Sequence, residues 1–215
     1  MVTTPELKDG YLHLWPTIFV QRHLPDATRW NEALLKRVEE LDRANENLTT
    51  DYLGDNFFDS ILPAVAWLRD GINKTVADYL HHCDVDYPLK WAIQGWPNVN
   101  RFGDYHESHS HPRAYLSGTY YAQVPKAVEP LKFRNDAKPG CITFYDPRVG
   151  LIASAIAKDP YIDPAYTVMP ETGFLLMWPA MLQHFVHPNL SKEKRVSISF
   201  NIMLKFSESQ IPDRR

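Results

Sequence analysis

At Pro88 the texture of the sequence changes, and the change limits what the chain can fold into. From there to about Phe206, short runs rich in Val, Ile, Tyr, Phe and Trp are cut by Pro, Gly, Asn and Asp. Antiparallel strands joined by tight turns are written this way. Seven runs read as strands: Lys90–Phe102, Ala114–Val124, Cys141–Tyr145, Tyr166–Met169, Phe174–Trp178, Gln183–His187 and Lys194–Phe206. That number suffices for a sandwich or a jelly roll. The Ala- and Pro-bearing segment 149–163 lies between two of them and reads as an excursion near a rim.

Upstream of Pro88 the period is helical. After Pro25, either Asp26 or Thr28 can cap a helix whose apolar residues Trp30, Leu34, Val38 and Leu41 share one face. Residues 42–56 are polar and rich in turn formers, which predicts a loop. A second helix is expected from near Ser60 to about His81, with Pro63 in its first turn and Leu62, Val65, Ile72, Val76 and Tyr79 as its buried stripe. The expected architecture is mainly β with N-terminal helices, a double-stranded β-helix (jelly roll). It forms one domain over 1–215, with helical support in 1–88 and the jelly-roll core in 89–207.

Composition excludes several functions. The 23 Lys and Arg are nowhere gathered into a stripe and the net charge is −3, so neither nucleic acid nor an anionic membrane has an electrostatic footprint. The N-terminus MVTTPELKDG lacks the layout of a signal peptide, and no apolar run reaches membrane-spanning length. The two cysteines, Cys83 and Cys141, read as reduced thiols, which predicts a cytoplasmic setting.

Three separated motifs carry chemistry. In HESHSHP, His106 to Pro112, an extended backbone projects His109 and His111 to one face, with Glu107 beside them. Imidazoles so spaced supply adjacent corners of a metal site, and imidazole suits iron, zinc, copper and nickel; a solvated His-rich loop would read the same. Downstream, His184 sits among apolar residues in WPAMLQHFVHPN, where either a packed core histidine or a ligand fits. His187 falls on the opposite strand face. In KRVSISFNIML, Arg195, Ser197, Ser199 and Asn201 alternate with apolar residues. The polar side is either solvent-facing or the lining of an anion pocket, where Arg with a hydroxyl two residues on can grip a carboxylate.

Taken together, the His-x-His, the distant His184 and the Arg195-Val196-Ser197 eleven residues after it resemble the 2-oxoglutarate and Fe(II)-dependent oxygenases, over about Asn98 to Leu204. The context NVNRFGDYHESHSHPRAYLSGTYYAQVP, GFLLMWPAMLQHFVHPN and RVSISFNI is similar to a bacterial and phage-borne branch of them. The resemblance implies Fe(II) held by His109, His111 and His184, and 2-oxoglutarate held by Arg195 with Ser197. Tyr121, or its neighbour Tyr120, assists. It also implies oxidation, with 2-oxoglutarate decarboxylated to succinate and a C–H bond hydroxylated. The family's usual third ligand is a carboxylate; here His111 stands in that place, and Glu107 is the alternative. Two other readings remain at this stage: a three-His cupin-type dioxygenase without 2-oxoglutarate, and a non-catalytic jelly-roll binding protein. Residues His81, His82 and Cys83 read as a polar helix end, Trp91, Trp96 and Trp178 as core or wall, and Arg101 and Arg113 as lying near the mouth, either meeting substrate or simply exposed. The substrate, a small molecule or a peptide, and the oligomeric state are not written in the sequence.

Overall fold

Two helices precede most of the strands. The computed structural model describes residues 16–45, 52, 54–85, 87–126, 131–132, 137–148 and 165–205; the expected excursion at 149–163 lies outside them. Helix α1 covers Ala27–Ala44. Its stripe turns Leu34 and Val38 inward until both are buried. Asp26 holds the N-cap position without capping: its φ of 60° is left-handed and its side chain makes no bond to the first turn. Helix α2 covers Pro63–His82, opening on the proline that needs no N–H partner there. Val65, Ile72, Val76 and Tyr79 are buried as expected, joined by Leu68. Leu62 departs from the expectation: it lies just outside the helix and is 40% exposed.

Among the described residues nine strands follow in chain order: β1 Val20–His23, β2 Lys90–Asn100, β3 His106–His109, β4 Leu116–Gln123, β5 Ile142–Tyr145, β6 Ala165–Val168, β7 Phe174–Pro179, β8 His184–Val186 and β9 Arg195–Lys205. Seven of these correspond to the expected runs. The additions are β1 and β3, whose sequences VQRH and HESH carry almost no apolar signal. Both are made strands by their partners, β7 and β8.

The strands form two antiparallel sheets, ordered β1-β7-β4-β9-β2 and β3-β8-β5-β6, which is the two-sheet arrangement of a jelly roll. The helices cover the outer face of the five-stranded sheet. There Leu116, Tyr120, Leu175, Met177, Val196, Ile198, Phe200 and Ile202 join the helical stripes in one core. A smaller core between the sheets holds Tyr121, Ile142, Phe144, Leu176, Trp178 and Leu182. Close layering demands a glycine at 118: a Cβ there would come within 2.2 Å of the Phe200 ring and 2.6 Å of the Leu176 carbonyl oxygen. Strands β2 and β9 pair over eleven rungs, from Lys90–Lys205 to Asn100–Arg195. No helix among the described residues is long and apolar enough to cross a membrane.

Candidate active site

The polar face of β9 is not solvent-facing. Arg195 is 1% exposed, and Ser197 and Asn201 are buried too. Arg195 and Ser197 look inward, onto a chamber of about 50 Å³ whose wall also includes Asn98, Asn100, Tyr121, Trp178 and the three histidines His109, His111 and His184, while Asn201 accepts from the Ser117 hydroxyl.

Those histidines converge from three places. His109 and His184 are cross-strand partners at the ends of β3 and β8, with ring centroids 4.2 Å apart. His111 lies past the end of β3, pinned by its backbone N–H to the carbonyl of Ala180 at 2.9 Å. One ligand atom from each residue falls within 4.8 Å of the others. The Nδ1 of His109 meets the Glu107 carbonyl at 2.6 Å, and that of His184 meets the Leu182 carbonyl at 3.1 Å. A carbonyl only accepts, so both rings carry their proton on Nδ1 and present the Nε2 lone pair. The same device, a carbonyl two residues upstream, orients both imidazoles. Burial, then the neighbouring His109, brings His111 down to about 4. Burial brings His184 to about 3. Both are therefore neutral near pH 7, the form that binds a metal.

Glu107 is exposed and outside this convergence. It sits where the β3–β8 register shifts between His106 and His109, and it contributes its carbonyl rather than its carboxylate. His187 is likewise elsewhere, its Nε2 2.8 Å from the Thr143 hydroxyl.

On the other wall, Arg195 bonds to the carbonyl oxygens of Gly140 (3.2 Å) and His187 (3.4 Å) and to Oδ1 of Asn100 (3.2 Å). All three acceptors are neutral. Burial pushes the guanidinium below its ordinary value, yet an arginine stays charged. A buried cation with only neutral hydrogen-bond partners is costly; the Asp104 carboxylate offsets part of that cost through charge alone, and an incoming carboxylate would offset more of it. Tyr121 is buried beside it and raised to about 12 by burial, with Arg195 pulling the other way. Tyr120 points into the helix-side core instead, donating to Asn31 Oδ1 at 2.6 Å. Of the two tyrosines, only Tyr121 lines the chamber.

Two polar atoms of the chamber wall, Asn98 Oδ1 and Trp178 Nε1, are buried without a partner. Asn98, Asn100 and His106 were not singled out from sequence. The signal was there: Trp96, Asn98 and Asn100 alternate on β2 opposite the serines and arginine of β9. The chamber opens into a cleft of about 880 Å³ bordered by residues 105–113 with Tyr52 and Trp96. Arg113 lines this cleft, whereas Arg101 is paired with Asp42. The three imidazoles and the buried guanidinium together fit a transition metal and a small dicarboxylate.

Comparison with known proteins agrees with this geometry. Residues 94–201, half of the chain, match the profile of a family described as "Putative 2OG-Fe(II) oxygenase". No curated protein sequence matches the chain. Among solved structures, a Pseudomonas putida prolyl-4-hydroxylase superposes with a TM-score of 0.56 at 13% identity, over 87% of this chain and 88% of that one. AviO1 from Streptomyces viridochromogenes Tue57 gives 0.55 at 15% identity, over 90% and 91%. HygX from Streptomyces hygroscopicus, solved with nickel and 2-oxoglutarate bound, gives 0.56 at 13% identity, over 87% and 83%. At these identities the likeness is one of fold.

Proposed function

Because the chain belongs to the 2OG-Fe(II) oxygenase family, and is thus an oxidoreductase, we propose that it is a hydroxylase with an all-histidine iron site. In this reading His109, His111 and His184 hold Fe(II), while Arg195, helped by Ser197 and Tyr121, holds the distal carboxylate of 2-oxoglutarate. The observation that carries it is the buried, neutrally partnered Arg195 in the same chamber as the three convergent imidazoles.

Fe(II) and 2-oxoglutarate, when bound, would let dioxygen act as the oxidant, one oxygen atom going to succinate as 2-oxoglutarate loses carbon dioxide and the other to the substrate's C–H bond. The chain's own residues do the positioning. His109 and His184 offer Nε2 because their Nδ1 protons are committed to carbonyls. The three imidazoles leave the site one charge more positive than a carboxylate-bearing triad would, and the dianionic co-substrate offsets that charge. Trp178 and Phe144 pack against His184 and keep water from that side. The substrate, a small molecule or a peptide, enters by the cleft along 105–113. The two free cysteines fit a reducing, cytoplasmic setting.

Succinate formation from 2-oxoglutarate, with Fe(II) and dioxygen supplied, tests the reading. Removing one partner of a buried ion pair costs about 2–5 kcal/mol. Arg195→Ala is therefore expected to weaken 2-oxoglutarate binding at least about tenfold, with Fe(II) affinity nearly unchanged. Equal affinity in variant and wild type would return the site to a metal centre without 2-oxoglutarate.

A further inference from the structure

Among the described residues, the one side chain that hydrogen-bonds Arg195 is an amide used at both ends. Asn100 Oδ1 accepts from Arg195 Nη2 at 3.2 Å, and Asn100 Nδ2 lies 3.1 Å from His106 Nε2. Because a guanidinium only donates, Oδ1 must face it and Nδ2 must face His106. His106 then accepts at Nε2. Asn100 is itself 1% exposed, and its own carbonyl is held by Asn189 Nδ2 at 2.9 Å. The amide is thus fixed from the backbone side and reaches two walls. Arg195 lies in the chamber, while His106 borders both chamber and cleft.

We infer that Asn100 is a positioning residue that aims the Arg195 guanidinium into the chamber while setting no charge of its own against it, so that the cation stays available to an incoming carboxylate. The inference rests on Arg195 being the co-substrate anchor. Its physical content is the choice of amide over acid. Aspartate has nearly the same shape and would complete a buried ion pair with Arg195, supplying the counter-charge that the neutral acceptors lack. It would also occupy, electrostatically, the place of the ligand carboxylate. Fold stability and anion affinity should therefore respond in opposite directions, which no purely structural role for Asn100 produces.

The test titrates 2-oxoglutarate into Mn(II)-loaded protein without turnover, reading the fluorescence of Trp96 and Trp178, which line the chamber. Unfolding temperature and Mn(II) affinity are measured on the same samples. For Asn100→Asp the expected result is an unfolding temperature at or above wild type, unchanged Mn(II) affinity, and 2-oxoglutarate affinity down at least about tenfold. For Asn100→Ala a smaller, few-fold loss is expected, with a lower unfolding temperature. Wild-type 2-oxoglutarate affinity in Asn100→Asp overturns the inference. So does a failure of that variant to fold, or an equal loss in both variants that tracks their unfolding temperatures. Arg195→Ala in the same titration separates the two levels. Normal binding there removes the anchor itself, whereas loss there with retention in Asn100→Asp removes only the role of Asn100.

Discussion

The two walls that meet at the chamber are built on unlike scaffolds. Arg195 and Asn100 face each other on the last rung of an eleven-rung ladder, with Arg195 buried beneath a continuous sheet. The histidines stand on strands of four and three residues, paired on either side of a register shift, or in the loop beyond. The long ladder places the cation through the backbone. The short rim strands leave the imidazoles to be oriented by single carbonyls and by one another. A buried charge held by neutral acceptors needs a rigid enclosure because any misplacement costs desolvation energy. Metal ligands tolerate a looser scaffold because the metal supplies the final convergence.

If that division is real, the walls fail separately. The largest effect belongs to the histidine side. His184→Ala removes the proposed ligand that is most buried and whose Nε2 is already presented, so Fe(II) affinity is expected to fall by about a hundredfold or more. Arg195→Ala leaves Fe(II) nearly untouched. Isothermal titration of Fe(II) under nitrogen into both variants checks this. A loss of Fe(II) in Arg195→Ala comparable to that in His184→Ala would show one coupled site instead of two walls.

The same contrast decided what could be read in advance. Strand β9 alternates apolar and polar residues over its full length, so its strand state and the placing of Arg195 and Ser197 on one polar face are legible. The sequence left open whether that polar face met water, because burial of a hydrophilic face depends on the second sheet. Strand β3 had no hydrophobic signature, and its side chains were read from ideal alternation. The register shift at Glu107 breaks that alternation, and His111 lies beyond the strand altogether. That His109 and His111 still converge owes to the Ala180 carbonyl holding the loop, a contact no local pattern encodes. The asparagines of β2 escaped notice because a lone amide becomes informative only when its neighbours are known.

A smaller effect probes the buttress of the arginine wall. Asp42, near the end of α1, bonds Arg101 at 2.6 Å and Lys194 at 3.1 Å, the residues immediately flanking Asn100 and Arg195. Burial pushes its carboxyl up, but the Arg101 and Lys194 bonds outweigh this and hold it below the usual value. A depressed native value means the stabilisation is full above the unfolded Asp pKa and is lost as pH falls through the lower native one. Both cations are about half exposed, so the link is worth only about 1 kcal/mol, or roughly 2–4 °C in unfolding temperature for Asp42→Asn at neutral pH. The gap between variant and wild type should close in acid, below the ordinary Asp range. A pH-independent gap, measured by calorimetry, would mean the charge of Asp42 is not what ties the helix to the ladder.

The smallest effect is the one that separates the two candidates for the third ligand. Glu107 is exposed and lends the site only its carbonyl, the acceptor for His109 Nδ1 at 2.6 Å. Glu107→Gln keeps that carbonyl, so Fe(II) affinity should stay within about twofold of wild type, well under 1 kcal/mol. His111→Ala, which removes an imidazole from the convergent set, should lose metal strongly. His111→Asp should retain it, since a shorter carboxylate on the same loop still offers an oxygen and restores the commoner donor set. If Glu107 is the ligand, the order inverts, with Glu107→Gln losing metal and His111→Ala keeping it. Fe(II) affinities of the three variants, measured side by side, therefore identify which ligand set the metal selects.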